Sequence, residues 1–308
     1  MTNDPIRFQG IMATPVTPFG TDGKVDKAGI ASVVSFLHLH GIKSIYCLGT
    51  YGGFALMQED ERKQAAEFWI EACKACGMRL ILNISATSTR EAVSLARHAE
   101  RYGADAISSL VPFYYSGGGY RDENYYGYFQ ELLDAAGLPV YFYNNPRTTG
   151  YRIDIPFLGR LLDSGLHGMK EGTGDLAFWL KVWDLVSEKG KHFDLIPGQV
   201  NTMLIGRLYG ARCVMSGPSV YWPEINLALL DAFDAGEFPQ AVDLHRKIMR
   251  ASRLQGKYAT KYEGCYALLT ARGVHAGQPR PPWRTMDEAD LLKLKSEMAT
   301  LGMPLARS

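Results

Sequence analysis

Short apolar runs alternate with longer amphipathic segments along the first three quarters of the chain. The runs are IMATPV, SIYCLG, LILNIS, AISSLVP, VYFYNN, GMKEG, FDLIPG and CVMSG, β-rich in character and bounded by turn formers. Between them lie helix-like segments that end at Gly41, Gly77, Gly103, Gly137, Gly165, Gly190, Gly210 and Gly236. Glycine just past a helix end takes the left-handed conformation without a Cβ penalty. The run STRE, Ser88 to Glu91, opens the third helix with a capping-box pattern. Strand and helix alternate eight times, which predicts parallel strands joined by crossover helices.

Eight such units over roughly 230 residues predict a closed (β/α)8 TIM barrel, an α/β fold, rather than an open doubly wound sheet. An open sheet would offer a glycine-rich turn after its first strand, and MATPVTPFGTDG is not one. After Gly236 the pattern changes. EFPQAVDLHRKIMRASRL, TKYEGCYALLTARG and DEADLLKLKSEMATLG predict three helices with no strands between them, and GQPRPPW is a proline-stiffened connection before the last. The expected organisation is a barrel over 1–230 and a small C-terminal helical domain over 231–308.

Composition narrows the classes. Hydrophobic residues make up 46% of the 308, enough for one large core. Lys and Arg number 33 against 32 acids, a net charge of +1, so no field draws the protein to nucleic acid or to an anionic membrane. The N-terminal MTNDPIRFQG is polar, and no run approaches the roughly 20 apolar residues of a membrane span. Five cysteines, an odd count, suggest reduced thiols and a cytoplasmic protein. Cys73 and Cys76 form a lone CxxC without a second pair, and the seven histidines show no metal-like spacing, so neither metal nor cofactor is expected.

The candidate chemistry begins with Lys170, a lysine in the middle of the sixth apolar run. An ammonium is costly to desolvate. Placed in a strand, Lys170 can point into the barrel, and Glu171 must then face the helices. A lysine in that dry space has a lowered pKa and a nucleophilic neutral amine, suited to Schiff-base formation with a ketone or aldehyde. The structural alternative is a lysine paired with a carboxylate across the barrel. Tyr143, near the end of the fifth strand, is one strand away and could carry the protons the reaction moves. Tyr141 shares its face and lies deeper. The second strand ends CLGTYGG, where Thr50 offers a hydroxyl and the glycines expose N–H groups that could hold a carboxylate. Tyr114 and Tyr115 lie just past the fourth strand. The tyrosine-dense stretch YYSGGGYRDENYYGY, which includes them, is read either as a subunit contact or as packing.

GMKEGTGD resembles the G-x-K-E/Q-x-(S/T)-G-D/N strand of the N-acetylneuraminate lyase/dihydrodipicolinate synthase (DapA-like) family. YNNPRTTG is similar to its YNxPxxTG segment, VPFYY to its TPYY or TPFYY segment, and LGTYGG to its GTTGE or GSTGE turn. Four motifs in register along nearly the whole chain make the resemblance specific. It implies a barrel plus three helices, a homotetramer, and cofactor-free class I aldolase chemistry on pyruvate or another 2-oxo acid. By the same resemblance Lys170 forms the imine and Tyr143 donates and accepts protons. Thr50 and Tyr114 match a hydroxyl relay in which the tyrosine often crosses from a neighbouring subunit. The substrate carboxylate would sit on the Thr50–Tyr51 backbone, with Met215 also lining the pocket.

The departures bear on the substrate. The family's second Thr or Ser in the turn is Tyr51 here, and its glutamate is Gly53. Where dihydrodipicolinate synthases carry an arginine for a second carboxylate, this chain has Thr148, with Arg147 one position early. A sugar-acid or aromatic 2-oxo acid is therefore the expected substrate. The alternatives are a dihydrodipicolinate synthase, a sugar-acid dehydratase on the same scaffold, or a paralogue that binds a 2-oxo acid without turning it over.

Overall fold

In the computed structural model, residues 8–190 and 192–306 are described. The first seven residues, part of the polar N-terminus noted above, lie outside them.

All eight expected strands form: β1 Gly10–Ala13, β2 Ser44–Cys47, β3 Arg79–Asn83, β4 Ala106–Ser109, β5 Val140–Asn144, β6 Gly168–Glu171, β7 Asp194–Pro197 and β8 Cys213–Met215. They belong to one sheet in the order β7-β6-β5-β4-β3-β2-β1-β8. The pairs β1–β2, β3–β4, β4–β5, β5–β6 and β6–β7 are parallel. Helices alternate with the strands, and Phe238–Ala251, Lys261–Ala271 and Glu288–Thr300 follow as the C-terminal helices. The fold is a (β/α)8 TIM barrel with appended helices. Every residue of β2, β4, β5 and β6 is buried, as expected for parallel strands covered on both faces.

Local signals explain the element ends. Ser88 Oγ accepts from Glu91 N at 3.3 Å to start the helix Thr89–Tyr102, and Asp175 Oδ1 accepts from Phe178 N at 3.0 Å to start Leu176–Lys189. Seven of the eight helix-ending glycines have positive φ. Gly137 does not: Ala136 before it is already extended, and Gly137 N donates to Glu100 Oε1 at 3.1 Å.

The contacts of the chain gather into two compact units. One comprises Arg79–Met215 with the segment up to Gln9, and it contains β3 to β8. The other comprises Gly10–Met78 and Ser216–Ser308, and so holds β1, β2 and the C-terminal helices. The second unit is stitched by polar bonds as well as packing. Tyr266 Oη donates to Thr17 O at 2.7 Å, Thr17 Oγ1 to Gly52 O at 2.7 Å, and Arg280 pairs with Glu61 while lying 4.4 Å from the Phe19 ring centroid.

All five cysteines are free, Cys73 buried and Cys76 half-buried. Among the described residues, no group of three His, Cys, Asp or Glu could hold a metal ion, and no helix is long and apolar enough to cross a membrane.

Candidate active site

The β5–β6 register sets Tyr143 beside Lys170 and Asn144 beside Glu171. Alternation then sends the first pair to one face of the sheet and the second pair to the other. Lys170 Nζ lies 4.2 Å from the centroid of the Tyr143 ring, with both side chains buried. Burial brings the Lys170 amine down to about 7. Gly172 follows because nothing larger fits: a Cβ there would lie 2.8 Å from Asn144 O and 3.2 Å from the Tyr143 ring.

The opposite face braces this pair. Glu171 Oε2 accepts from Asn144 Nδ2 at 2.5 Å, and Glu171 Oε1 accepts from Thr173 N at 2.5 Å and from the Thr173 hydroxyl. Burial pushes the Glu171 carboxyl up, against the pull of these bonds. The ends of β5 and β6 are thereby tied together behind the lysine. Tyr141, deeper in β5, donates to Asp194 Oδ2 at 2.7 Å; burial and that carboxylate keep its phenol protonated.

Beyond β5 the chain turns at Asn145. Its Nδ2 donates to Tyr143 Oη at 3.1 Å, and its backbone carbonyl accepts from Thr148 N and Thr149 N. The hydroxyl of the exposed Thr148 bonds back to the same carbonyl at 3.0 Å, and Arg147 Nη2 reaches Gly172 O at 3.4 Å. Tyr114 is 77% exposed, its ring edge-on to Tyr115 at 5.0 Å. Both line a cavity of about 620 Å³ together with Ser88, Pro112 and Tyr125. Met215 is buried at the end of β8.

Thr50 and Tyr51 belong to the other unit, in a tightly wound turn. Leu48, a buried non-glycine residue, sits at φ 53, in the left-handed region that leucine rarely enters. A Cβ on Gly52 would lie 2.9 Å from Leu48 backbone atoms. Gly53 has φ 64, and its missing Cβ would lie 2.9 Å from the Trp283 ring. Tyr51 packs edge-on against Tyr262 at 5.6 Å, and Tyr262 stacks on Trp283 at 5.0 Å. Tyr51 Oη accepts from Gln255 Nε2 at 3.1 Å, while Gln255 Oε1 accepts from Tyr221 Oη at 3.0 Å. Gln255 Nε2 also lies 2.6 Å from Lys261 O, which can only accept, so the nitrogen must be on that side.

The structure thus brings Lys170 and Tyr143 into contact, keeps Thr148 in the adjoining turn, and leaves Tyr114 on the surface of the single chain. A buried amine that is partly neutral near pH 7, against a phenol, can add to a carbonyl and pass protons. Sequence reasoning missed Asn145, Gln255 and Trp283. Asn145 stands two residues after Tyr143, a spacing that could have flagged it; Gln255 and Trp283 offered no local signal.

A parallel (β/α)8 barrel that sets a desolvated lysine on one strand against a tyrosine on the next is an arrangement suited to carbonyl chemistry. The chain belongs to the Dihydrodipicolinate synthetase family, whose match spans residues 7–301. It is 29% identical over 298 residues to the N-acetylneuraminate lyase of Rhizobium meliloti (strain 1021), covering 96% of this chain and 95% of that one. It is 26% identical to the 4-hydroxy-tetrahydrodipicolinate synthase of Methanothrix thermoacetophila, covering 96% and 97% respectively. Among solved structures, it superposes on YagE from E. coli K12 in complex with pyruvate with a TM-score of 0.88 and 25% identity, covering 97% of this chain and 100% of that one.

Proposed function

We propose that the protein is a class I lyase that forms an imine between Lys170 and a 2-oxo acid such as pyruvate, then makes or breaks the adjacent C–C bond. The observation that carries this reading is the buried Lys170 amine, titrating near 7, held 4.2 Å from the Tyr143 ring centroid. The neutral amine adds to the keto carbon to give a carbinolamine. Tyr143 gives its proton to the carbinolamine hydroxyl, which leaves as water, and the products are an iminium ion and a phenolate. The phenolate then takes a C3 proton, giving a neutral enamine and restoring the phenol. The enamine attacks an aldehyde in condensation; cleavage runs the same steps in reverse.

Thr50 and Tyr114 serve as the hydroxyl relay, with Tyr114 supplied by a neighbouring subunit of a homotetramer. That role suits its exposure in the single chain. The substrate carboxylate is assigned to the Thr50–Tyr51 turn, and Met215 and Thr148 to the walls around the substrate. Thr148 is neutral, and Arg147 is engaged with the Gly172 carbonyl. Both favour a sugar-acid or aromatic 2-oxo acid over a substrate with a second carboxylate. The relatives named above include an N-acetylneuraminate lyase and a protein solved with pyruvate, in keeping with this class.

The test is intact mass after incubation with pyruvate and borohydride, followed by peptide mapping. A pyruvyl adduct on Lys170 supports the reading. Absence of an adduct with pyruvate and with other 2-oxo acids overturns it.

A further inference from the structure

We propose that Asn145 is a positioning residue for the proton carrier: its side-chain N–H holds the Tyr143 phenol oxygen and stabilises the phenolate formed when the proton leaves. This rests on the reading of Lys170 and Tyr143 given above.

Three observations carry it. Asn145 Nδ2 donates to Tyr143 Oη at 3.1 Å, so the phenol oxygen accepts there and its own proton is directed elsewhere. Asn145 is only 5% exposed, and its Oδ1 is buried with no hydrogen-bond partner among the described residues. An orphaned buried amide oxygen is destabilising, and an apolar side chain of similar size would avoid that penalty. An amide is therefore a poor choice at this position for packing alone. The opposite amide orientation is worse, since it would leave two buried N–H donors where one acceptor now sits. Finally, the contacts by which Asn145 shapes the turn use its backbone carbonyl, which accepts from Thr148 N and Thr149 N and from both threonine hydroxyls. The side chain is left for Tyr143.

The physical consequence is differential. A neutral N–H···O bond to the phenol strengthens when the oxygen becomes an anion, because charge-assisted bonds are roughly twice as strong. Asn145 therefore favours the state that exists between loss of the carbinolamine hydroxyl and removal of the C3 proton. It acts through Tyr143, whose phenol oxygen it holds.

The experiment uses the full chain with pyruvate and the variants Asn145→Asp and Asn145→Ala. Borohydride trapping on Lys170 reports the imine, and NMR follows exchange of the pyruvate C3 protons into D2O as a function of pH. Both variants are expected to keep the adduct and to exchange about tenfold or more slowly. The alkaline limb of the Asn145→Asp profile is expected to move to higher pH, since a carboxylate opposes the phenolate. Wild-type exchange rates in Asn145→Asp would mean that the side chain acts as an acceptor, which overturns the inference alone. An equal fall in both variants with an unmoved pH profile would mean a packing role and also overturns it. If the wild-type protein forms no adduct, the reading of Lys170 and this inference fall together.

Discussion

Lys170 Nζ faces the Tyr143 ring from 4.2 Å across a single pair of parallel strands, and the register Tyr143↔Lys170 makes that contact a property of the sheet rather than of a loop. Strand-borne groups hold their geometry more closely than loop-borne ones. Both the chemistry and the stability of the protein should therefore depend on this pair.

The rate of imine formation is expected to rise with pH through about 7, because the neutral amine is the nucleophile and burial brings Lys170 to that value. Borohydride trapping of pyruvate at short times over a pH series measures it. A midpoint near the ordinary lysine value of 10.5 would show that the amine is not desolvated in solution.

The same burial makes Lys170 a liability for stability. Between about 7 and 10.5 the unfolded chain binds a proton that the folded chain does not, so stability rises with pH across that window. Below it both states are charged, and the folded state bears the full cost of a buried ammonium. Lys170→Met is expected to be inactive yet more stable at about pH 6, by on the order of 3 kcal/mol. The gain should shrink towards pH 10. Urea unfolding of both proteins at several pH values is the measurement.

Glu171 should show a sharp difference between deletion and isosteric replacement. Glu171→Ala strands Asn144 Nδ2 and Thr173 N, both of which now donate to the carboxylate, and should cost about 2–4 kcal/mol. Glu171→Gln keeps an acceptor for Thr173, and a turned Asn144 amide can meet the new N–H, so the loss should be about 1 kcal/mol or less. Equal losses in the two variants would refute the bracing role.

Gln255 and Tyr51 should behave as a coupled pair. Gln255→Leu leaves Tyr221 Oη and Lys261 O without this partner and releases the Tyr51 phenol, at a cost of about 1–3 kcal/mol. Tyr51→Phe removes the same bond from the other end. If the phenol contributes to binding the 2-oxo acid, both raise KM, and the double variant is no worse than the stronger single one. Additive effects would show that the two side chains act separately.

Restoring the acidic residue that the family resemblance expects at Gly53 should be harmful here. The left-handed backbone alone costs a residue with a side chain about 1–2 kcal/mol, and the Trp283 ring blocks the Cβ from 2.9 Å. Gly53→Glu is expected to lower the melting temperature, and adding Trp283→Ala to recover part of the loss. A Gly53→Glu protein as stable as the wild type would mean that the turn can rewind.

Much of this was legible in the sequence for physical reasons. Eight strands were marked by buried apolar runs, and Lys170 stood out because a charge inside such a run demands an explanation. Tyr143 followed from strand order alone. Gly137 shows where punctuation misleads: a glycine after a helix can serve a hydrogen bond to Glu100 instead of a left-handed cap. The support of Tyr51 could not be read locally, because Gln255 lies 204 residues away in sequence, and no periodicity records a contact of that span. Trp283 was visible only as the end of a proline-rich connection, yet it explains why position 53 is a glycine.

The turn after β2 is shaped by residues near the far end of the polypeptide: Gln255 holds the Tyr51 hydroxyl, and Trp283 closes over Gly53. Anyone transplanting that turn onto a related scaffold would have to carry with it the C-terminal segments that bear Gln255 and Trp283. Conversely, drift in the segments between the C-terminal helices, where Gln255 and Trp283 lie, could retune the turn while every strand of the barrel stays unchanged.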